Sequence, residues 1–149
     1  MKLKEKKVFD PQKAELYEIN IESNVQITHA FELGKCEMQV GFNTSVEYSD
    51  EANDLRILLD IILERNDDND DFAEFNFEFY YKIQDLKDYH EVKKEIHILS
   101  AQVAVPLVGV SISTARGIIF ERLHNTYWKN VLIPIVSPKV VLENSLKKH

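Results

Sequence analysis

The chain has 149 residues, with 18 Lys plus Arg against 25 Asp plus Glu and a net charge of -7. That length fits one domain able to bury about 68 to 70% of its surface, so the core needs neither disulfide nor structural metal. The acidic balance excludes a nucleic-acid surface of clustered Lys and Arg, and a single cysteine, Cys36, excludes a disulfide frame and points to a reducing, cytoplasmic setting.

The basic opening leads into Phe9, Asp10 and Pro11 instead of an apolar stretch, so no signal peptide is expected, and residues 1–14 are expected to form a flexible arm. Four period-2 stretches follow. The first places Tyr17, Ile19, Ile21, Ser23, Val25, Ile27, His29 and Phe31 on one side; the second places Val40, Phe42, Thr44, Val46 and Tyr48. The third runs Leu55, Ile57, Leu59, Ile61 and Leu63, with Leu58 and Ile62 blurring the pattern toward a short helix, although β-branched content favours a strand. The fourth alternates Phe75, Phe77, Phe79, Tyr81 and Ile83 with Glu74, Asn76, Glu78, Tyr80 and Lys82. Polar breaks at 34–37, 49–54 and 66–71 suit antiparallel connections, and a four-stranded antiparallel sheet with one buried and one acidic face follows.

From Asp88 to about His124 the pattern reads as one long helix, which Pro106 should kink or split. Residues 96–115 contain no Asp, Glu, Lys or Arg, long enough for a membrane span. His97, Ser100, Gln102, Ser111, Ser113 and Thr114 interrupt that stretch, so it is read instead as a helix buried by its own domain and by another subunit, with no membrane insertion. An apolar link, 131–136, and a short amphipathic turn, 140–146, complete a single α+β domain with the helices packed on one sheet face.

Sites for chemistry are sparse. Asp67, Asn69, Asp71 and Glu78 imitate calcium-loop positions, but Phe72 stands where the loop needs glycine, so a solvated acidic hairpin is expected. His90, Glu91, Glu95 and His97 lack the spacing that aims two imidazoles at one zinc and read as the charged first turn of the helix. Cys36 has no local His partner, the four glycines make no phosphate cradle, and Ser111, Ser113 and Thr114 suit bonding to the preceding helical turn better than attack on a substrate. No catalytic residue, metal or cofactor is expected. Apolar and aromatic surface in excess of what the helices cover is expected to form a groove or an interface.

Ala115, Arg116, Ile119 and Leu123, then Tyr127, Trp128, Val131, Ile133, Pro134 and Val136, resemble the Ala-Arg helix, aromatic corner and Pro-Val link of the preprotein-export chaperone SecB family. Phe75, Phe77, Glu78 and Phe79 are similar to that family's fourth strand. The resemblance spans roughly residues 15–145, and its specific part is 115–136. Thr114, Gly117 and Asn125 or Thr126 depart from the family pattern and mark a distant branch. The sequence ends at Lys147, Lys148 and His149, where the family carries a further tail that contacts the translocation ATPase and helps bind zinc.

The resemblance implies an ATP-independent chaperone for unfolded polypeptide, assembled as a dimer of dimers through its long helix, here at Val103, Val105, Val110 and Ile112. Some members escort one client, such as the antitoxin of a toxin-antitoxin pair, and others serve export. Placing the first two strands beside the link and last helix gives peptide-binding candidates Val25, Ile27, Phe31, Met38, Val40, Phe42, Trp128, Leu132, Val141 and Leu142. Asp60, Glu64, Glu74 and Glu78 form the acidic face that in the family meets the export ATPase. The alternative is a non-catalytic scaffold of the same fold with a closed groove.

Overall fold

The computed structural model describes residues 8–32, 34–67, 69–93 and 96–146. Strands β1 (Ala14–Gln26), β2 (Met38–Ser49), β3 (Asp54–Arg65) and β4 (Phe72–Ile83) form one antiparallel sheet in the order β1-β4-β3-β2. β2, β3 and β4 follow one another as a meander, while β1 pairs with β4 at the far edge. The segment after β1 therefore crosses the end of the sheet to reach β2.

Registers align the apolar alternations of the strands into transverse rows: Ile19, Phe79, Ile57 and Val46 in one, Ile21, Phe77, Leu59 and Thr44 in the next. Phe75, Phe77 and Phe79 stack along β4 with centroids 6.4 and 5.6 Å apart, and all three are buried. Each such ring stabilises the fold by about 1.5–3 kcal/mol through burial. Leu58 and Ile62 fall on the opposite face, half-buried, which is why the pattern of β3 looked blurred.

Three expectations are corrected. The register of β1 shifts between Leu16 and Glu18, and this irregularity leaves Tyr17 off the buried row, 47% exposed, where its hydroxyl donates to Asp54 Oδ1. The long helix begins thirteen residues later than Asp88, because β-branched residues favour extended chain: β5 (His90–Lys93) and β6 (Ile96–Leu99) pair as a short antiparallel ribbon. His90 thus belongs to a strand, with Nε2 2.7 Å from Asp50 Oδ1, and Glu95 lies outside the described residues. Finally, the stretch before β1 is anchored from residue 8 onward. Phe9 is buried edge-on against Tyr89 with its N–H donating to Gln102 Oε1, so the expected arm concerns only residues 1–7, outside the described set.

Helix α1 (Ala101–Leu123) starts where Ser100 Oγ accepts the N–H of Gln102 and runs unbroken through Pro106. A proline this early in a helix forgoes one backbone hydrogen bond in its second turn, which the packing tolerates. Val103, Leu107, Val108, Ile112, Ala115, Ile119 and Leu123 are buried, and α1 lies against β3 and β4. Tyr81 of β4 reaches Ser111 Oγ at 2.8 Å, while Ser111 Oγ also donates to the Leu107 carbonyl. By length and composition alone α1 is long and apolar enough to cross a membrane, and 44% of that window is buried inside the protein.

Helix α2 (Pro138–Leu146) lies along β2 and against α1. The two helices come together at Gly109, where a Cβ would stand 3.3 Å from Pro138 Cγ.

Candidate functional site

Between α1 and α2 the chain turns over 124–130 and then runs as a link outside helix and strand over 131–137, which Arg116 Nε holds to α1 by donating to the Ile133 carbonyl at 3.1 Å. Extended chain turns successive side chains to opposite sides. Val131 and Ile133 are accordingly buried and Leu132 between them is 70% exposed, but the alternation breaks after Pro134, and Ile135, which it would bury, is 85% exposed. Two concavities flank this link along α1. One, of about 490 Å³, is lined by Pro106, Gly109, Val110, Ile135, Val136 and Pro138 among others; the second, of about 290 Å³, by Gly117, Phe120, Val131, Leu132 and Ile133. Ser113 and Arg116 line both, so the two adjoin along the groove between α1 and the link. Phe120 and Ile135, which strand and helix periodicity did not single out, belong to it. No period signals Ile135, because two-residue alternation along the link would place it with buried Val131 and Ile133.

A third concavity, of about 800 Å³, opens under the crossover and is lined by Phe31, Gly34, Lys35, Cys36, Glu37, Met38 and Asn66. Residues of the β3–β4 turn hold the crossover in place. Asp71, 3% exposed, accepts the N–H groups of Thr28 and His29 on Oδ2 at 2.9 and 2.8 Å and the Thr28 hydroxyl on Oδ1 at 2.7 Å. Burial pushes its carboxyl up, but these donors outweigh burial and hold it below the ordinary value of 3.8. Arg65 donates to the Ala30 carbonyl at 3.1 Å, to Cys36 Sγ at 3.5 Å and to Asp67 at 2.7 Å. The expectation of a solvated acidic hairpin is therefore corrected: Asp67 and Asp71 are engaged within the chain. No group of three or more metal-ligating side chains gathers among the described residues.

The peptide-binding candidates separate. Val25, 43% exposed, and the half-buried Ile27 belong to the β1 side, at the opposite edge from β2, so the placing of both strands beside the last helix is corrected: α2 lies along β2. Met38, Val40 and Phe42 stand at alternate positions of β2, half-buried, on the side where α2 brings Val141 and Leu142. Phe31 and Met38 line the crossover cleft, where Phe31 is buried into the core at 8% exposure and Met38 is half-buried. Trp128 is completely buried and Val141 nearly so; both are core, because the Trp128 indole and the apolar side of α2 fill space over the sheet. Of the helix candidates, Val103 and Ile112 pack into the core, which leaves Val105 half-buried and Val110 45% exposed, about 140° apart around the helix.

Asp60, Glu64, Glu74 and Glu78 do share one face, opposite the helices, with Leu58 and Ile62 among them. Asn76 Nδ2 donates to Asp60 at 2.6 Å. The Tyr80 hydroxyl, which donates to Glu78, holds that carboxyl below its usual range.

An antiparallel sheet backed by one long and one short helix, with apolar concavities beside the link, defines an α+β fold. The fold is SecB-like. The chain is similar to the Mycobacterium tuberculosis SecB-like chaperone Rv1957, solved in complex with a ChAD peptide from the Rv1956 HigA1 antitoxin, with a TM-score of 0.61, 14% identity, and coverage of 85% of this chain and 91% of that one. No protein-family model and no curated protein matches the chain.

Proposed function

We propose that this protein is a chaperone that holds non-native polypeptide by apolar contact, uses no nucleotide and makes or breaks no bond. The observation that carries this reading is the link, where Leu132 and Ile135 stand 70 and 85% exposed beside a groove although the core is filled. The likeness to a SecB-like chaperone bound to an antitoxin peptide supports it. In this reading the link, together with Phe31 and Met38 in the crossover cleft, takes the extended client, and tolerance arises because such contact reads hydrophobicity and backbone instead of sequence. The client is a single partner such as an antitoxin, or a set of exported precursors. Copies assemble as a dimer of dimers through α1, with Val110 as its exposed apolar contact, in the cytoplasm, and the acidic face of Asp60, Glu64, Glu74 and Glu78 is the docking surface for a translocation ATPase.

The test is light scattering from a chemically unfolded reporter protein diluted into buffer with increasing amounts of this protein and no nucleotide. Suppression of scattering near one oligomer per reporter is the expected result. No suppression by a folded oligomer would remove general holding. The scaffold reading is favoured by one observation: the groove runs along the small residues Gly109, Ser113 and Gly117 of α1, so that a second copy would fill it.

A further inference from the structure

The run Asn-Asp-Asp-Asn-Asp-Asp at 66–71, which resembles a metal loop in sequence, makes its bonds across to the crossover. Asn66 Oδ1 accepts the Glu37 N–H at 2.8 Å and its own N–H donates to the Glu37 carbonyl at 3.1 Å. Asn69 Oδ1 accepts the Asp71 N–H at 2.9 Å and so fixes the carboxylate that takes three donors from Thr28 and His29. Arg65, whose side chain is 8% exposed, reaches the crossover at both ends, at the His29 and Ala30 carbonyls and at Cys36 Sγ. Between these fixed points lie Phe31 and, just beyond, Met38, the two apolar residues of the cleft.

Loops that cross a sheet end usually carry few apolar contacts and move easily. Here the crossover is tied instead by charge-assisted hydrogen bonds from an element with no surface in the groove along α1. We propose that Asp71 and Arg65 are positioning residues for the crossover cleft, setting the path of Thr28, His29, Ala30 and Cys36 so that Phe31 and Met38 line one apolar wall. Their role in client capture rests on the holding function proposed above. Asp71 touches no client; it acts through Thr28 and His29.

Two built-in probes read this arrangement without any client. Cys36 is the single cysteine and lies in the cleft under Arg65, and Trp128 is the single tryptophan, next to Tyr127, whose carbonyl accepts the Phe31 N–H at 3.4 Å. The experiment compares the full chain with Asp71→Ala, with Thr28→Val, which removes one hydroxyl and leaves the carboxylate in place, and with Ile119→Val, a core trim that lowers stability elsewhere. Ellman's reagent at Cys36, Trp128 emission and affinity for a carboxymethylated unfolded reporter protein are measured well below each variant's melting temperature. The expected result is a rise of about tenfold in Cys36 reactivity for Asp71→Ala and of about threefold for Thr28→Val, the scale of losing buried hydrogen bonds, with a red shift of Trp128 and a parallel loss of reporter affinity. The Ile119→Val variant should leave all three readouts at the wild-type level. If Asp71→Ala fails to fold, Thr28→Val decides by the same readouts. Thiol reactivity and emission no different from those of Ile119→Val would overturn the positioning role, whatever the wild type binds. Altered thiol reactivity with unchanged reporter affinity, or no reporter binding by the wild type, would overturn the role in client capture, and only the last also removes the holding function itself.

Discussion

The backbone N–H of Thr44, at the outer edge of β2, donates to Ser145 Oγ of α2 at 2.9 Å, and the same hydroxyl donates back to the Val141 carbonyl at 2.8 Å. One edge of the sheet is thereby closed by a helix. The other edge, along the thirteen residues of β1, pairs with β4 alone among the described residues, and an uncovered edge of that length is a template for another strand. Ser145→Ala should leave the Thr44 N–H buried without an acceptor and cost about 1–3 kcal/mol, read as a lower urea midpoint at unchanged m-value.

The pH dependence of stability should carry the signature of Asp71. Its folded-state carboxyl titrates below the ordinary value of 3.8, so the stabilisation it contributes is complete above that value and is lost as pH falls through the lower folded value. His29 Nδ1, 3.7 Å away, is the charged-or-neutral neighbour facing it. In Asp71→Asn, urea unfolding should show a smaller stability difference between neutral pH and pH below 3.8 than in the wild type. Equal pH dependence in the two proteins would contradict the assignment.

Much of the sheet is legible in the sequence because its alternation is strict: Leu55 to Leu63 and Phe75 to Ile83 show every inward side chain buried. What failed to appear there has a common cause. The register shift at Tyr17, the placement of β1 beside β4 and the use of Asp71 as a clamp are all long-range pairings, and a period within one strand says nothing about which strand lies next to it. The uncharged stretch 96–115 misled in a simpler way. Apolar composition without a resolved period fits strand and helix alike, so β6 was merged into α1. Trp128 is a related case: an aromatic at a corner looks available for binding, and only packing reveals it as core.

Val110 and Val103 stand seven residues apart on α1 with opposite exposures, 45 and 0%. Val110→Asp should therefore lower the mass measured by light scattering while leaving the circular dichroism and melting of each subunit close to native. Val103→Asp places a charge within the core, at a cost of several kcal/mol, and should unfold the chain. An unchanged mass in folded Val110→Asp would rule out the outer side of α1 as the subunit contact.

In the proposed function client capture and assembly both draw on the apolar surface along α1 and the link, and substitutions on its two sides separate them. Leu132 and Ile135 sit on the link, whose path is kept by buried Val131 and Ile133 and by the Arg116 bond to the Ile133 carbonyl, so replacing the exposed pair by Asp leaves those anchors untouched. The double variant should keep its oligomeric mass and melting temperature yet lose suppression of reporter scattering, because the contact removed is about 1.5–3 kcal/mol of burial per side chain. Trp128→Asp is no substitute for this test, since a completely buried indole replaced by a carboxylate collapses the core and abolishes every activity without locating one. Should Leu132→Asp with Ile135→Asp instead halve the mass and spare the holding activity, the link belongs to the subunit contact, and Phe31 and Met38 of the crossover cleft become the client surface to substitute next.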